Sequence, residues 1–353
     1  STAYEISKQF PNFTTVLFEK NEYCGDETSG RNSAVLHAGI YYPKETLKCK
    51  LCLKGNQLWR KYTQDLDIPK IECGKYIISA FKEEDEQLNK LLINAQNNGV
   101  QGIRPITENE HKSLNEFCNI SQGFYSATTA VIDIATAISK INEQLYKKEI
   151  PVLTSTEITN LKHEKDGISF QAGEDIIKAR YFINCAGLGA IKLREQLGLK
   201  NLKNKLVKGS YLATTQKLNY PSLIYPVPPK NKGILGVHNC IDFDETVRFG
   251  PDAEEIKSVD YSVNKNIVDQ ISPSVEKIFK NIDRTKLRGD YAGIRPQIAH
   301  SDSSEFHYDF WIKNGIELDL PGYIECCGIE SPGLTSAPAI AQKITNWIKE
   351  GSC

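Results

Sequence analysis

The feature that most constrains this chain is a helix followed by a strand that ends in an acid. Ala3, Ile6 and Phe10 recur at helical spacing, and Pro11-Asn12 ends that helix. TTVLFEK follows as a continuously apolar strand that closes on Glu19. Strands read this way when a sheet is covered on both faces. Helix then strand then acid is the second half of a βαβ unit, in which the acid meets a ribose hydroxyl. The first strand of such a unit, with its GxGxxG loop, would precede Ser1. Taken alone, Glu19 reads as a surface residue, so the rest of the chain must give it a role.

The next stretch, SGRNSAVLHAGIYY from Ser29 to Tyr42, is a polar Gly-containing loop that leads into a His between an apolar run and Ala38-Gly39. Beyond it, apolar spacing predicts a helix over Leu47–Leu66, a strand over CGKYIISAF, a helix over EEDEQLNKLLINAQNNGV and another over Ala130–Tyr146. IPVLTSTEITNLKHEKDGISFQAG reads as two or three strands turning at Lys165-Asp166-Gly167. DIIKARYFINCAGLGA is a strand ending in small residues, which let another body approach the backbone closely. From Leu206 to Ala299 strands and loops dominate (KGSYLATT, SLIYPVPP, GILGVHNCIDF, VRFGPD), interrupted by a helical insert over Val263–Ile282. FHYDFWIKNG and PGYIECCG return to strand. A last helix carries Leu334, Ile340, Ile344 and Ile348 on its apolar face. The fold class is α/β, with Rossmann-like cofactor-domain pieces at 1–46, 145–205 and 310–353. Between them, 47–144 and 206–309 form an α+β substrate domain on a mostly antiparallel sheet.

Composition narrows the partners. A net charge of −1 with 25% charged residues gives no electrostatic case for nucleic acid or an anionic membrane. No apolar run approaches the roughly 18 residues of a spanning helix, and no signal peptide is visible; peripheral membrane contact stays open. The ten cysteines are scattered, as in a reduced intracellular protein. Cys49 and Cys52 form a CxxC, but Cys326-Cys327 lacks ligand spacing, so no metal site is expected.

The stretches RNSAVLHAGIYYP, LKCKLCLKG, CGKYIIS, INCAGLGA, KGSYLA, IYPVPP, LGVHNCIDFDETVRFGPD, YAGIRP and GIESPGLTSAPAIA cover nearly the whole chain. In that order they resemble the FAD-dependent oxidoreductases of the D-amino-acid-oxidase/glycerol-3-phosphate-dehydrogenase superfamily, and most of all its L-2-hydroxyglutarate dehydrogenase group. The resemblance implies bound FAD and oxidation of L-2-hydroxyglutarate, or a close 2-hydroxy acid, to the 2-oxo acid. It leaves as alternatives an amino-acid or amine oxidase, a glycerol-3-phosphate dehydrogenase, and a flavin-free non-enzymatic homologue. It implies a quinone or an electron-transfer flavoprotein as electron acceptor. The location it implies is cytoplasmic or peripheral at an inner membrane in a bacterium, and mitochondrial in a eukaryote.

Oxidising a hydroxy acid requires a carbon-bound hydrogen facing the flavin, a base for the hydroxyl proton, a cation for the carboxylate and exclusion of water. Of the six histidines, His111 and His163 lie in charged segments, and His300 and His307 flank a Ser/Asp-rich loop, so all four read as surface. His37 and His238 stand in apolar, Gly-flanked contexts, where a structural hydrogen-bonding role is the ordinary outcome. The resemblance implies His37 as proton acceptor and His238 as a pocket residue and rival base. Arg295 in YAGIRP is the candidate for the carboxylate, because a guanidinium fork matches it bidentately. A dicarboxylate needs a second cation, for which Lys208 and Arg248 are candidates. Tyr41, Tyr211 and Tyr225 can add hydroxyl donors. For the cofactor the resemblance implies Glu19, Lys20, Arg31, Asn32, Ser33, Ala38, Gly39, Ile158, Ala186 and Gly187. It adds Gly328, Ile329, Gly333, Leu334 and Thr335, whose amides at a helix start suit the negative charge of a reduced flavin.

Overall fold

The computed structural model describes residues 1–220, 222–228, 236–303 and 306–352. Pro229 of IYPVPP and the GIL (233–235) of GILGVHNCIDF lie outside the described residues.

The first half is a layer of helices against short parallel strands. The helix Thr2–Gln9 and the last helix, Gly333–Glu350, bury Ile6, Ile340, Ile344 and Ile348 in one core with Ile324. Phe182–Asn184 pairs parallel to Tyr323–Cys327, which pairs antiparallel to Trp311–Lys313. The strand expected over TTVLFEK is only Leu17–Phe18, parallel to Val152–Leu153. It is half-buried rather than covered on both faces, and among the described residues Val152–Leu153 is its one partner strand.

The helix Leu47–Asp65, expected in the second domain, packs instead on the last helix. Its N-terminal amides are capped twice. Thr46 Oγ1 accepts from the Cys49 N–H at 3.2 Å, and the Asp309 carboxylate accepts from the Leu47 and Lys48 N–H groups at 2.7 and 2.8 Å. Gly55 sets the crossing: a Cβ there would stand 2.0 Å from the Thr335 carbonyl oxygen. The single helix expected over Ala130–Tyr146 is a strand, Ala130–Ile132, followed by a helix, Ile134–Lys147. Val131 and Ile132 are β-branched and extend readily, and Asp133 caps the helix by accepting from the Thr136 N–H at 2.9 Å. The helical insert contracts to Ile267–Ile278.

The second half is built on a long antiparallel pair, Leu202–Thr214 with Leu287–His300, irregular between Ser210 and Leu212. Val247–Gly250, His238–Ile241 and Glu254–Ile256 extend that sheet. A four-stranded sheet beside it pairs Leu223–Pro226 parallel to Lys75–Ser79, then Gln122–Ser126 and Ile103–Pro105. Ile78, Leu212, Phe249, Val275 and Phe279 form the core between these elements. Asn239 fastens the two sheets: its Oδ1 accepts from the Ile224 N–H at 2.6 Å, and its Nδ2 donates to the Ser222 carbonyl at 3.0 Å. The expected α/β fold with a mostly antiparallel second part is the one observed.

Candidate active site

Three stretches, one near the start of the chain and two near its end, meet at one place. Gly293 brings the strand Leu287–His300 against the loop before His37, where a Cβ would lie 2.0 Å from the Arg31 carbonyl oxygen. The Tyr291 hydroxyl donates to the Asn32 carbonyl at 2.9 Å, and Thr28 Oγ1 donates to the Ile294 carbonyl at 3.2 Å. The loop at Glu330 joins both. Gln297 Nε2 donates to Glu330 Oε2 at 3.0 Å, and Ser331 Oγ lies 3.4 Å from His37 Nε2.

His37 is fixed by its backbone. Its N–H donates to Thr335 Oγ1 at 2.9 Å, and that hydroxyl donates to the Val35 carbonyl at 3.3 Å. Its carbonyl accepts from Asn56 Nδ2 at 3.1 Å and from the Cys52 thiol at 3.4 Å. The side chain is buried, with Nε2 near Ser331 and Nδ1 without a hydrogen-bond partner. Burial, with the nearby Lys75 and His238 charges, holds its pKa well below the usual imidazole value.

Across from it, strand alternation puts Lys75 and Ile77 on one face, and the parallel register sets Leu223 and Tyr225 beside them. Lys75 is fully buried, and its Nζ makes no hydrogen bond. It stands 4.8 Å from the Tyr41 ring centroid and 4.5 Å from that of Tyr225. The Tyr225 ring also stacks on the His238 ring, at 3.7 Å between centroids and 13° between planes. His238 Nδ1 lies 3.1 Å from the Asn239 carbonyl oxygen. Burial lowers its pKa to about 3 against that hydrogen bond, with Lys75 and Arg295 adding to the fall. Tyr211 stacks on Tyr291 at 4.6 Å. Burial raises its pKa, while the Arg295 guanidinium pulls the other way. Burial likewise raises Tyr41 and Tyr225, whose hydroxyls are buried without partners. Arg295 is half-buried, and its charge is felt at both Tyr211 and His238. His37, His238, Arg295, Tyr41, Tyr211 and Tyr225 are therefore brought to one polar-lined interior.

The residues expected at a dinucleotide fall just past strand ends. Glu19 follows Leu17–Phe18, its Oε1 accepting from the Asn21 N–H at 2.9 Å and its carbonyl from the Thr156 N–H at 2.9 Å. That second bond brings Ile158, at the start of Ile158–Glu164, into the same neighbourhood. Lys20 pairs with Glu27 at 2.7 Å. Ala186 and Gly187 follow Phe182–Asn184. Ala186 is exposed, and the space beside the Gly187 Cα is open, with φ +54°. Gly328, at φ +67°, and Ile329 follow Tyr323–Cys327 and lead into Gly333 at the start of the last helix. Among the described residues, the Leu334 and Thr335 amides of that first turn donate to no acceptor. An acid, an open Gly turn and free helix-start amides, each at the carboxyl end of a strand, fit a flavin dinucleotide.

Other expectations are redirected. Lys208 is turned to Glu254 and Asp260, at 3.4 and 3.6 Å, and donates to the Ser262 carbonyl at 3.3 Å. Arg248 is neutralised by Asp242 and Asp290, at 2.6 and 2.5 Å. Each of these two charges is met by two carboxylates. The Arg31 side chain stacks over Tyr261 at 4.3 Å and donates to the Asp26 carbonyl, and Asn32 braces its own loop through Thr28, Ser29 and Ala34. Ala38 is buried in the core behind His37, and Gly39, at φ +87°, offers its carbonyl to Asn98 Nδ2. Thr335 serves through its hydroxyl as the clamp on His37. His300 and His307, expected at the surface, pack edge-on with Trp311.

Sequence reasoning missed Lys75 and Ser331. Lys75 had a signal: in GKYIIS it takes the position that alternates with Ile77, where an inward strand face carries apolar residues. It also missed Lys48, whose ammonium is buried 2.7 Å from Glu330 and so holds the loop that carries Ser331.

Similarity to known proteins agrees with this geometry. An L-2-hydroxyglutarate dehydrogenase of Arabidopsis thaliana mitochondria is 28% identical over 375 residues, covering 91% of this chain and 76% of its own. A glycerol 3-phosphate dehydrogenase of Caloramator mitchellensis is 26% identical, covering 99% of this chain and 71% of its own. The FAD-bound L-alpha-glycerophosphate oxidase of Mycoplasma pneumoniae superposes with a TM-score of 0.85 at 22% identity, over 99% of this chain and 91% of that one. The sequence model described as FAD dependent oxidoreductase matches residues 1–347. Matched over almost its entire length, the chain belongs to the FAD dependent oxidoreductase family.

Proposed function

We propose that this enzyme oxidises a 2-hydroxy acid to the 2-oxo acid, with L-2-hydroxyglutarate as preferred substrate. The observation that carries the reading is His37: a buried, uncharged imidazole with a partnerless Nδ1 in the interior shared with Arg295. With Nε2–H donated to Ser331 Oγ, the Nδ1 lone pair is available for the substrate's hydroxyl proton. An anionic substrate beside the ring raises its basicity towards the working range. Arg295 holds the carboxylate next to the reacting carbon, and the Tyr225–His238 stack closes the pocket to water. FAD, held by Glu19, Ala186-Gly187 and the Leu334 and Thr335 amides, supplies the two-electron acceptor. The name carried by the Arabidopsis relative supports the substrate. The Caloramator relative supports glycerol 3-phosphate as a second reading. A quinone or an electron-transfer flavoprotein as final acceptor belongs to the same proposal. No helix among the described residues is long and apolar enough to cross a membrane.

The test is anaerobic bleaching of the FAD-loaded protein by L- and D-2-hydroxyglutarate, L-lactate, glycerol 3-phosphate, glycine and proline. Fastest reduction by L-2-hydroxyglutarate is expected; reduction by amino acids alone would end the proposal. Arg295→Ala should raise KM for hydroxy acids by roughly 10- to 100-fold, the worth of a charge-assisted hydrogen bond, at unchanged flavin content. An unchanged KM removes Arg295 from the carboxylate.

A further inference from the structure

The unassigned group in this interior is Lys75. Its ammonium position is fully buried, without a hydrogen-bond partner, and no carboxylate pairs with it among the described residues. Burying a cation this way costs several kcal/mol, and native chains avoid it unless something arrives to meet the charge. The groups around it offer no fixed anion. The stretch Val35–Tyr42 presents His37 and Tyr41, the helix Leu47–Asp65 presents Cys52, and Cys73 precedes Lys75 on its own chain. Leu223–Pro226 presents Tyr225, and His238–Ile241 presents His238. Burial keeps Cys52 and Cys73 protonated. The two aromatic rings steer the amine without neutralising it. Two orphan hydroxyls, Tyr41 and Tyr225, lie in the same buried space. One amine and two hydroxyls that can all donate, none of them hydrogen-bonded, are the complement of a ligand that brings acceptors.

We propose that Lys75, with the Tyr41 and Tyr225 hydroxyls, is the binding site for the second anionic group of a dianionic substrate. The class is a hydroxy compound with one carboxylate or phosphate beyond the group held by Arg295. This rests on the hydroxy-acid reading above and makes Lys75 the specificity determinant for dianions over monoanions. It fills the role for which Lys208 and Arg248 were candidates and from which their own carboxylates withdraw them. Burial brings the Lys75 pKa down to about 7. Above neutral pH the empty site therefore holds a neutral amine. An entering anion restores the ammonium, so binding takes up a proton.

The test uses FAD-loaded wild type, Lys75→Met and Lys75→Gln. Glutarate, an unreactive dianion, is titrated calorimetrically at pH 8 in two buffers of different ionisation enthalpy, with butyrate as the monoanion control. Wild type should bind glutarate with uptake of close to one proton. Both variants should lose roughly 10- to 100-fold in glutarate affinity and lose the proton uptake, with butyrate changed less than about 3-fold. In turnover, KM for L-2-hydroxyglutarate should rise by the same factor and KM for L-2-hydroxybutyrate should not. Glycerol 3-phosphate in parallel distinguishes a phosphate from a carboxylate occupant. Equal effects on glutarate and butyrate, or none, overturn the assignment. If no hydroxy acid reduces the flavin but glutarate binding still depends on Lys75, the anion site stands and the oxidation reading falls.

Discussion

Replacing Lys75 with Met should stabilise the FAD-loaded protein, and by an amount that depends on pH in one direction only. In the unfolded chain the amine titrates at 10.5; folded, burial brings it to about 7. Each pH unit between those values is worth about 1.36 kcal/mol, so the penalty on the folded state reaches on the order of 5 kcal/mol below pH 7. The sign follows from proton counting. Between pH 7 and 10.5 the unfolded chain binds the proton and the folded one does not, so the Lys75 contribution to stability rises with pH. Above 10.5 neither state carries the charge and the penalty is gone; below 7 both carry it and the penalty is constant. Wild type should therefore gain about 2 kcal/mol on the variant between pH 7 and 9. For a chain of 353 residues that is on the order of 3 °C in Tm. The assay is calorimetric melting of both proteins at pH 6, 7, 8 and 9 in chloride buffers free of carboxylates and phosphate, with flavin content matched. A Tm difference that stays constant across this range would refute the buried, depressed amine.

Two further outcomes test the framework around the site. Thr335→Val keeps the shape but leaves the His37 N–H and the Val35 carbonyl without their shared hydroxyl. It should cost roughly 1–3 kcal/mol by thermal melting and lower kcat more than it raises KM, because His37 is displaced while Arg295 is not. Arg194, fully buried 3.0 Å from Glu325 and bonded also to the Leu199 carbonyl and Asn201, ties the strand Tyr323–Cys327 to the helix Ala190–Gln196 and the segment that follows it. Arg194→Ala should cost about 3–5 kcal/mol by leaving Glu325 buried and unpaired; a loss under 1 kcal/mol in chemical denaturation would contradict that.

Much of the architecture was legible because local patterns dictate it. Apolar spacing placed the last helix and its Ile340, Ile344 and Ile348, which do form its core face. Val131 and Ile132 show the limit: their apolar character fits helix or strand, and pairing with Val35 and Lys70 decided for strand. The candidate site was legible as three stretches, around His37, Arg295 and Gly328, because His, Arg and Gly-rich turns stand out against their neighbours.

The sequence by itself determined the helix-strand-acid start, the alternation of cofactor-type and sheet-rich segments, and which residue types were available for proton and carboxylate chemistry. Only the tertiary structure decided which charges are free to act. Lys208, Arg248 and Lys75 are all cations on strands, and strand alternation does not say which of them meets a carboxylate. Two are met by carboxylates brought from elsewhere in the chain, while the third is enclosed by rings and thiols. A charge's role depends on what surrounds it in three dimensions, because desolvation and pairing act through space and not along the chain.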